Sequence, residues 1–380
     1  MDSSFCAADE FPLDPGLAYL NHAAVAPWPR RARDAVQQFA EENCRFGARD
    51  YPRWMAVEAR LREHLRTLLG AASSDDIALV KNTSEGLSFV AQGLPWQPGD
   101  NIVTTAQEFP SNRIVWESLR PQGVEVRLAD VSGPDPEAAL LTLADGHTRL
   151  LAVSAVQYAS GLRMDLERLG RACRQRGILF VVDAIQSLGV VPMDVEAFAI
   201  DFLAADGHKW LCGPEGIGVF WCHPALRERL RLFEYGWHMV EHLGDYERRD
   251  WAPAASARRF ECGSPNMLGI HGLEASVSLL LEVGIPRIKA RVAERVDAIV
   301  ERCRGEGWTL LSPEAADRRA GIVTLRRPDL PPAALFEQLR AEGVVCALRG
   351  GGVRLSPHFY TPPEVITKAL NAIANSRREV

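Results

Sequence analysis

A lysine, an aspartate and a pair of hydroxyls are the residues of this chain best placed to do chemistry. The lysine is Lys209, in "DGHKWLCGPEGIG" (206–218), between His208 and Trp210 in a glycine-punctuated loop. Only four of the 43 basic residues are lysines: Lys81, Lys209, Lys289 and Lys368. Where a positive charge alone is needed, this chain uses arginine. Arginine keeps its proton in proteins, whereas lysine can be pushed to a neutral, nucleophilic amine. Lys81 lies among polar helix-cap residues, and Lys289 and Lys368 fall on charged helix faces, where solvation accounts for them. Lys209 has apolar neighbours, so its amine is the candidate nucleophile. The aspartate is Asp183, 26 residues earlier, which closes the apolar run "ILFVVD". A carboxylate in that position is desolvated and needs a cationic partner, which a structural arginine could also supply. The hydroxyls are Thr83 and Ser84 in "NTSEG". At a helix N-terminus they and the free backbone N–H groups suit a phosphate, although either could serve as an ordinary N-cap.

The elements that must position these residues are legible as short β-branched runs alternating with helical patterns. The runs cover 77–80, 101–105, 124–129, 149–156, 178–183, 201–205 and 218–222. Between them lie amphipathic stretches such as "SEGLSFVAQGL" and "LERLGRACRQRG", the latter closed by a C-cap glycine. This alternation predicts an α/β fold with a mostly parallel sheet covered on both faces, whose ligands bind beyond the carboxyl ends of the strands. Near residue 256 the pattern changes to a long helical region (269–304), then short strands and a final helix. The expected organisation is an N-terminal arm (1–18), a large cofactor-binding domain (19–255) and a smaller α+β C-terminal domain (256–380).

Composition sets limits. The 380 residues carry a net charge of −6 and no basic face, which argues against nucleic acid as a partner. The N-terminus lacks a basic n-region and an apolar h-region, and no apolar stretch is uninterrupted enough for a membrane span. The eight cysteines include no CxxC pair, which fits reduced thiols and a cytoplasmic location.

Lys209, Asp183 and the Thr83–Ser84 helix start all fall at carboxyl ends of strands. Pyridoxal 5'-phosphate needs all three features: an amine for a Schiff base, a carboxylate to keep the pyridine nitrogen protonated, and a helix end for the phosphate.

The segment "DAIQSLG" followed by "DFLAADGHKWLCGPEGIGVFW" resembles the class V aminotransferase family of pyridoxal-phosphate enzymes. That family includes cysteine desulfurases, isopenicillin N epimerase and kynureninase. The likeness runs from "YLNHAAVAP" (19–27) to "VRLSPHFYT" (353–361). It implies a fold type I architecture and a free amino acid as substrate, attacked at its α-carbon. Lys209 would hold the cofactor and shuttle protons, Asp183 would pair with the pyridinium nitrogen, and Gln186 would bond the ring hydroxyl. Thr83, Ser84 and His208 would hold the phosphate. Ser264, in "RFECGSPN", matches a phosphate contact supplied by the neighbouring subunit, which implies a homodimer with shared sites. Arg354 matches the arginine that grips the substrate carboxylate, and Gln157 or Tyr158 would lie beside the ring or that carboxylate.

The departures from the family pattern matter as much. Where desulfurases stack a histidine on the ring, "QEFPSN" offers Phe109, which stacks but cannot move a proton. Desulfurases also carry a nucleophilic cysteine before the arginine; here Cys346 falls in the strand-like "GVVCAL" and reads as a buried, inert thiol. Asp206 stands where many relatives place a phosphate-binding serine, and is expected to turn away or bond a neighbouring donor. Among α-carbon reactions the sequence reading favours transamination over β-elimination without a persulfide cysteine, or epimerisation. A non-catalytic dimeric relative is the alternative from another class. "HMVEH" (238–242) formally fits HxxEH, but it reads better as a loop over the site with His238 near the substrate, so no metal is expected. His22 and Tyr158 are the other expected substrate contacts.

Overall fold

The computed structural model describes residues 7–377; Cys6 and the first six residues of the expected N-terminal arm lie outside the described residues. In chain order the elements begin with α1 (Ala7–Glu10), β1 (Ala18–Tyr19), α2 (Arg30–Phe46) and α3 (Tyr51–Leu69). The alternating region follows as β2 (Ile77–Val80), α4 (Thr83–Gly93), β3 (Asn101–Thr105), α5 (Ser111–Glu117), β4 (Glu125–Ala129) and α6 (Pro136–Leu143). It continues as β5 (Thr148–Ser154), α7 (Leu166–Arg176), β6 (Leu179–Asp183), β7 (Phe202–Asp206) and β8 (Gly218–Cys222). The last third holds α8 (Met267–Val283), α9 (Ile285–Gly305), β9 (Thr309–Leu310), β10 (Val323–Arg326) and α10 (Pro332–Ala341). It ends in β11 (Val344–Val345), β12 (Ala347–Arg349), β13 (Gly352–Leu355) and α11 (Pro363–Asn375).

Seven strands form one sheet in the order β2-β8-β7-β6-β5-β3-β4. Only β8 runs against its neighbours, pairing antiparallel with both β2 and β7. The carboxyl ends of the other six therefore share one edge. The strands of this α/β sheet are near-continuous apolar runs because both faces are covered by helices: β3 and β8 are buried at every residue. Local chemistry sets the helix ends. Asp165 caps α7 by accepting from the Arg168 N–H, and Gly177 closes it at φ 68° in the left-handed region.

A smaller antiparallel sheet, in the order β12-β13-β10-β9, carries Arg354 on β13. β1 pairs with β11, and the Ser356 N–H donates to Leu20 O at 2.7 Å, so the start of the chain is stitched to its last third. One expectation is corrected here. The helical pattern over 269–304 is two helices, α8 and α9, bent by 83° at Gly284, whose φ is 85°. α8 packs against α2 and α3. Among the described residues no single helix is long and apolar enough to cross a membrane.

Candidate active site

Lys209 sits in the loop after β7, and that loop has little room to move. The Gly207 N–H donates to Ile217 O at 2.9 Å and the Gly213 N–H to Gly207 O at 2.8 Å. Leu273 of α8 closes from below: a Cβ on Gly207 would lie 2.9 Å from its Cδ1, and one on Gly213 2.6 Å from the same atom. Glycine is what lets backbone and helix approach this closely. Cys212, three residues past the lysine, is held at φ 55°, with its N–H on Lys209 O and its carbonyl accepting from Ser276 Oγ at 2.8 Å. A non-glycine residue in that region stores strain that the surrounding bonds must hold. Trp210, fully buried, donates its indole N–H to Gln186 Oε1 at 2.9 Å. The amide of Gln186 also donates to Ala23 O at 3.0 Å, which leaves one N–H for another acceptor.

The electrostatics match the chemistry the sequence suggests. Lys209 is 8% exposed, and burial lowers the pKa of its amine, with the Arg354 charge adding to the effect. Asp183, the last residue of β6, is buried; it accepts the Ile185 N–H at 3.0 Å and forms no ion pair among the described residues. Burial raises its pKa to about 7, with Glu108 adding to the rise and Lys209 opposing it. Such a carboxylate calls for a cationic or proton-bearing partner. The Lys209 Nζ lies 5.4 Å from the ring centre of Phe109, which meets Tyr158 edge-on at 5.1 Å. The Tyr158 carbonyl accepts from Arg354 Nη1 at 2.7 Å. Arg354 is buried, its pKa lowered to about 10 chiefly by desolvation, and its Nε has no partner.

At the phosphate end, α4 is capped by Asn82, which accepts the Glu85 N–H, so neither Thr83 nor Ser84 is the cap. The Thr83 N–H instead donates to Asp206 Oδ1 at 3.0 Å. Asp206 thus bonds a neighbouring donor, as expected. Its Oδ2 lies 3.7 Å from His208 Nδ1, and burial lowers the His208 pKa to about 4.

Two expected contacts, His22 and His238, are not brought to Lys209. His22 is fully buried and bonds Ser356 O and the Tyr360 hydroxyl through its two ring nitrogens, each at 2.7 Å, so neither nitrogen is left for a substrate. His238 is buried beside Glu261, whose carboxylate bonds the Arg62 guanidinium and the Leu79 N–H at the outer edge of β2. Glu58, His238 and Glu261 cluster closely, but Arg62 bonds both carboxylates and supplies the cation there. His242 is exposed and the "HMVEH" segment is not helical. Ser264 is exposed, in a groove with Lys81, Glu85 and Asn266, apart from the Lys209 cluster of its own chain.

One site residue escaped the sequence reading. Glu108, next to Phe109, is buried and accepts from the Ser154 N–H at 2.8 Å, from the Ser154 hydroxyl and from Gln157 Nε2 at 3.0 Å. Burial raises its pKa. An acid at the carboxyl end of a buried strand was the signal that picked out Asp183, and it applies equally to Glu108.

The donor set fits pyridoxal phosphate. It offers a desolvated amine, a carboxylate in want of a proton-bearing partner, an aromatic face, and two buried polar atoms without partners, Arg354 Nε and Gln157 Oε1. The family model for aminotransferase class-V matches residues 18–358. The chain belongs to the class-V aminotransferase family. It is a pyridoxal-phosphate enzyme with that family's fold. A probable cysteine desulfurase of Methanothermobacter thermautotrophicus is 30% identical over 94% of this chain and 94% of its own length. Isopenicillin N epimerase of Streptomyces clavuligerus is 30% identical over 95% of each chain. Among solved structures, the cystine C–S lyase C-DES superposes with a TM-score of 0.88 over 96% of this chain and 99% of its own, at 22% identity.

Proposed function

We propose that this enzyme acts at the α-carbon of a free amino acid and eliminates a sulfur substituent from the neighbouring carbon, keeping no sulfur on itself. The observation that carries the reading is Arg354. It is a buried guanidinium with an unpartnered Nε, close enough to lower the Lys209 pKa, and the cysteine that precedes it in sequence, Cys346, is buried. The Cys346 thiol is pushed up to about 12, far from the thiolate that persulfide chemistry needs.

Bound pyridoxal phosphate supplies an electron sink for the pair left when the α-proton departs. The chain supplies the rest. Lys209 takes that proton, since a buried amine with a lowered pKa is a competent base. Arg354 grips the α-carboxylate in the bidentate manner a guanidinium permits. Asp183 holds the proton on the ring nitrogen. Phe109, whose ring centre lies 5.4 Å from the Lys209 amine, would lie beside the cofactor and help keep water from it. On this reading the region 19–255 holds the cofactor and the region 256–380 brings Arg354. Ser264 reaches a phosphate only in the site of a second copy, which makes the working enzyme a homodimer.

Carbon–sulfur chemistry is favoured by the names of the archaeal relative and of the C–S lyase neighbour. Transamination, which the sequence alone favoured, has the family's name and that of an uncharacterized aminotransferase of Bacillus subtilis, 29% identical, behind it. The deciding experiment supplies cystine, cysteine or a non-sulfur amino acid, each without a keto acid. Continuous release of pyruvate and ammonia is the expected result, together with a persulfide from cystine or sulfide from cysteine. Turnover that stops after one equivalent until a keto acid is added would make the enzyme a transaminase, and inversion of the α-carbon without a keto product would make it an epimerase.

A further inference from the structure

The N-terminus of α4 already holds an anion, and that anion belongs to the protein. Of its first three N–H groups, the one on Thr83 goes to Asp206 Oδ1 and the one on Glu85 to the Asn82 cap, which leaves Ser84's. The Thr83 side chain is buried at the same spot and also bonds the carboxylate, so the N–H and the hydroxyl of Thr83 are both engaged by Asp206. Two anions cannot share one helix end without mutual repulsion. A phosphate that takes the Thr83 N–H must displace Asp206 or find it neutral.

We propose that Asp206 is a latch on the phosphate seat: it closes the seat when no phosphate is present, and it must take up one proton for the cofactor to enter. This rests on the reading that α4 receives the cofactor's phosphate. Asp206 has few routes of escape. β8 faces it with Gly218, where even a Cβ would stand 3.3 Å from Oδ1. α4 faces it with Thr83, and its own loop with His208, Lys209 and Glu215. Asp183 lies close enough on β6 for the Asp206 charge to raise its pKa. Burial is the largest influence, Glu215 reinforces it, Lys209 opposes it, and the carboxyl titrates at about 6. The latch therefore opens most easily in mild acid and tightens towards alkaline pH.

The test strips the full-length protein of cofactor. It then titrates pyridoxal phosphate from about pH 5.5 to about pH 8.5, following tryptophan fluorescence, in the native protein and in Asp206→Asn. Asparagine keeps an oxygen for the Thr83 N–H and has no proton to gain. The expected result is that above about pH 6 the native dissociation constant rises about tenfold per pH unit relative to the variant, the signature of one linked proton. Phosphate-free pyridoxal should give parallel curves for the two proteins. Parallel curves with pyridoxal phosphate overturn the latch and leave the seat standing. If pyridoxal binds as tightly as pyridoxal phosphate in both proteins, the seat itself is misplaced and the latch falls with it.

Discussion

Arg354 on β13 donates to the carbonyl of Tyr158, at 2.7 Å, across the space between the small sheet and the large one. The guanidinium is thus held by one nitrogen while Nε stays unpartnered. Replacing it with alanine should cut kcat/KM for an amino acid by about thirtyfold or more, since losing a buried charged contact costs about 2–5 kcal/mol. Cofactor affinity should hardly change. Steady-state kinetics beside a cofactor titration checks this, and equal loss of both would deny Arg354 its role.

Lys209→Ala should abolish turnover while the protein still folds, because alanine leaves no amine to hold the cofactor or accept the α-proton. Reduction with borohydride followed by denaturation should leave cofactor covalently attached to the native chain alone. Covalent attachment in the variant would point to a different lysine.

Phe109→Ala should weaken cofactor binding by about threefold to tenfold, the size of an aromatic contact worth about 0.5–1.5 kcal/mol. The ring is 37% exposed, beside a buried lysine, so little folding stability rests on it. Thermal melting of the cofactor-free variant should stay close to that of the native protein.

In the cofactor-free protein the stability that Asp183 contributes should fall as pH rises. Asp183 titrates at about 7 when folded, above the ~3.9 of a free aspartate, so its contribution is full below that lower value and is lost as pH rises through 7. Asp183→Asn should therefore be the more stable protein at alkaline pH, by on the order of 4 kcal/mol, while binding cofactor worse. His22 and His208 act in the opposite sense. Their pKa values are lowered to about 4, so they favour the fold above their free value near 6.5 and withdraw that support as pH falls through 4. Urea midpoints across the pH range check both arms.

Cys346→Ala should leave sulfur release intact, and brief treatment with iodoacetamide should label exposed Cys44 ahead of Cys346. Loss of activity on labelling Cys346 would restore a persulfide mechanism.

The strands were legible because buried parallel strands are continuous apolar runs; β2, β3 and β8 fall where those runs were read. The break at Gly284 was not, because the apolar period of α8 carries on into α9 and hides an 83° bend. Lys209, Asp183 and Arg354 could be found from residue type and local setting. The fates of His22 and His238 could not, since their partners lie far away in sequence: Ser356 and Tyr360 for one, Glu58 and Glu261 for the other. Both histidines look exposed to a local reading and are buried by long-range packing. Glu108 was not legible either, because the groups that bury and bond it, Ser154 and Gln157, lie more than forty residues further along the chain.

The bond between Arg354 and the Tyr158 carbonyl also fastens the two sheets to each other. A carboxylate that recruits the same Nη1 undoes that fastening at the moment it arrives. Occupancy of the site then changes how firmly the last third of the chain is tethered to the rest, and the slow exchange of amide hydrogens along β13 becomes a gauge of whether substrate is bound.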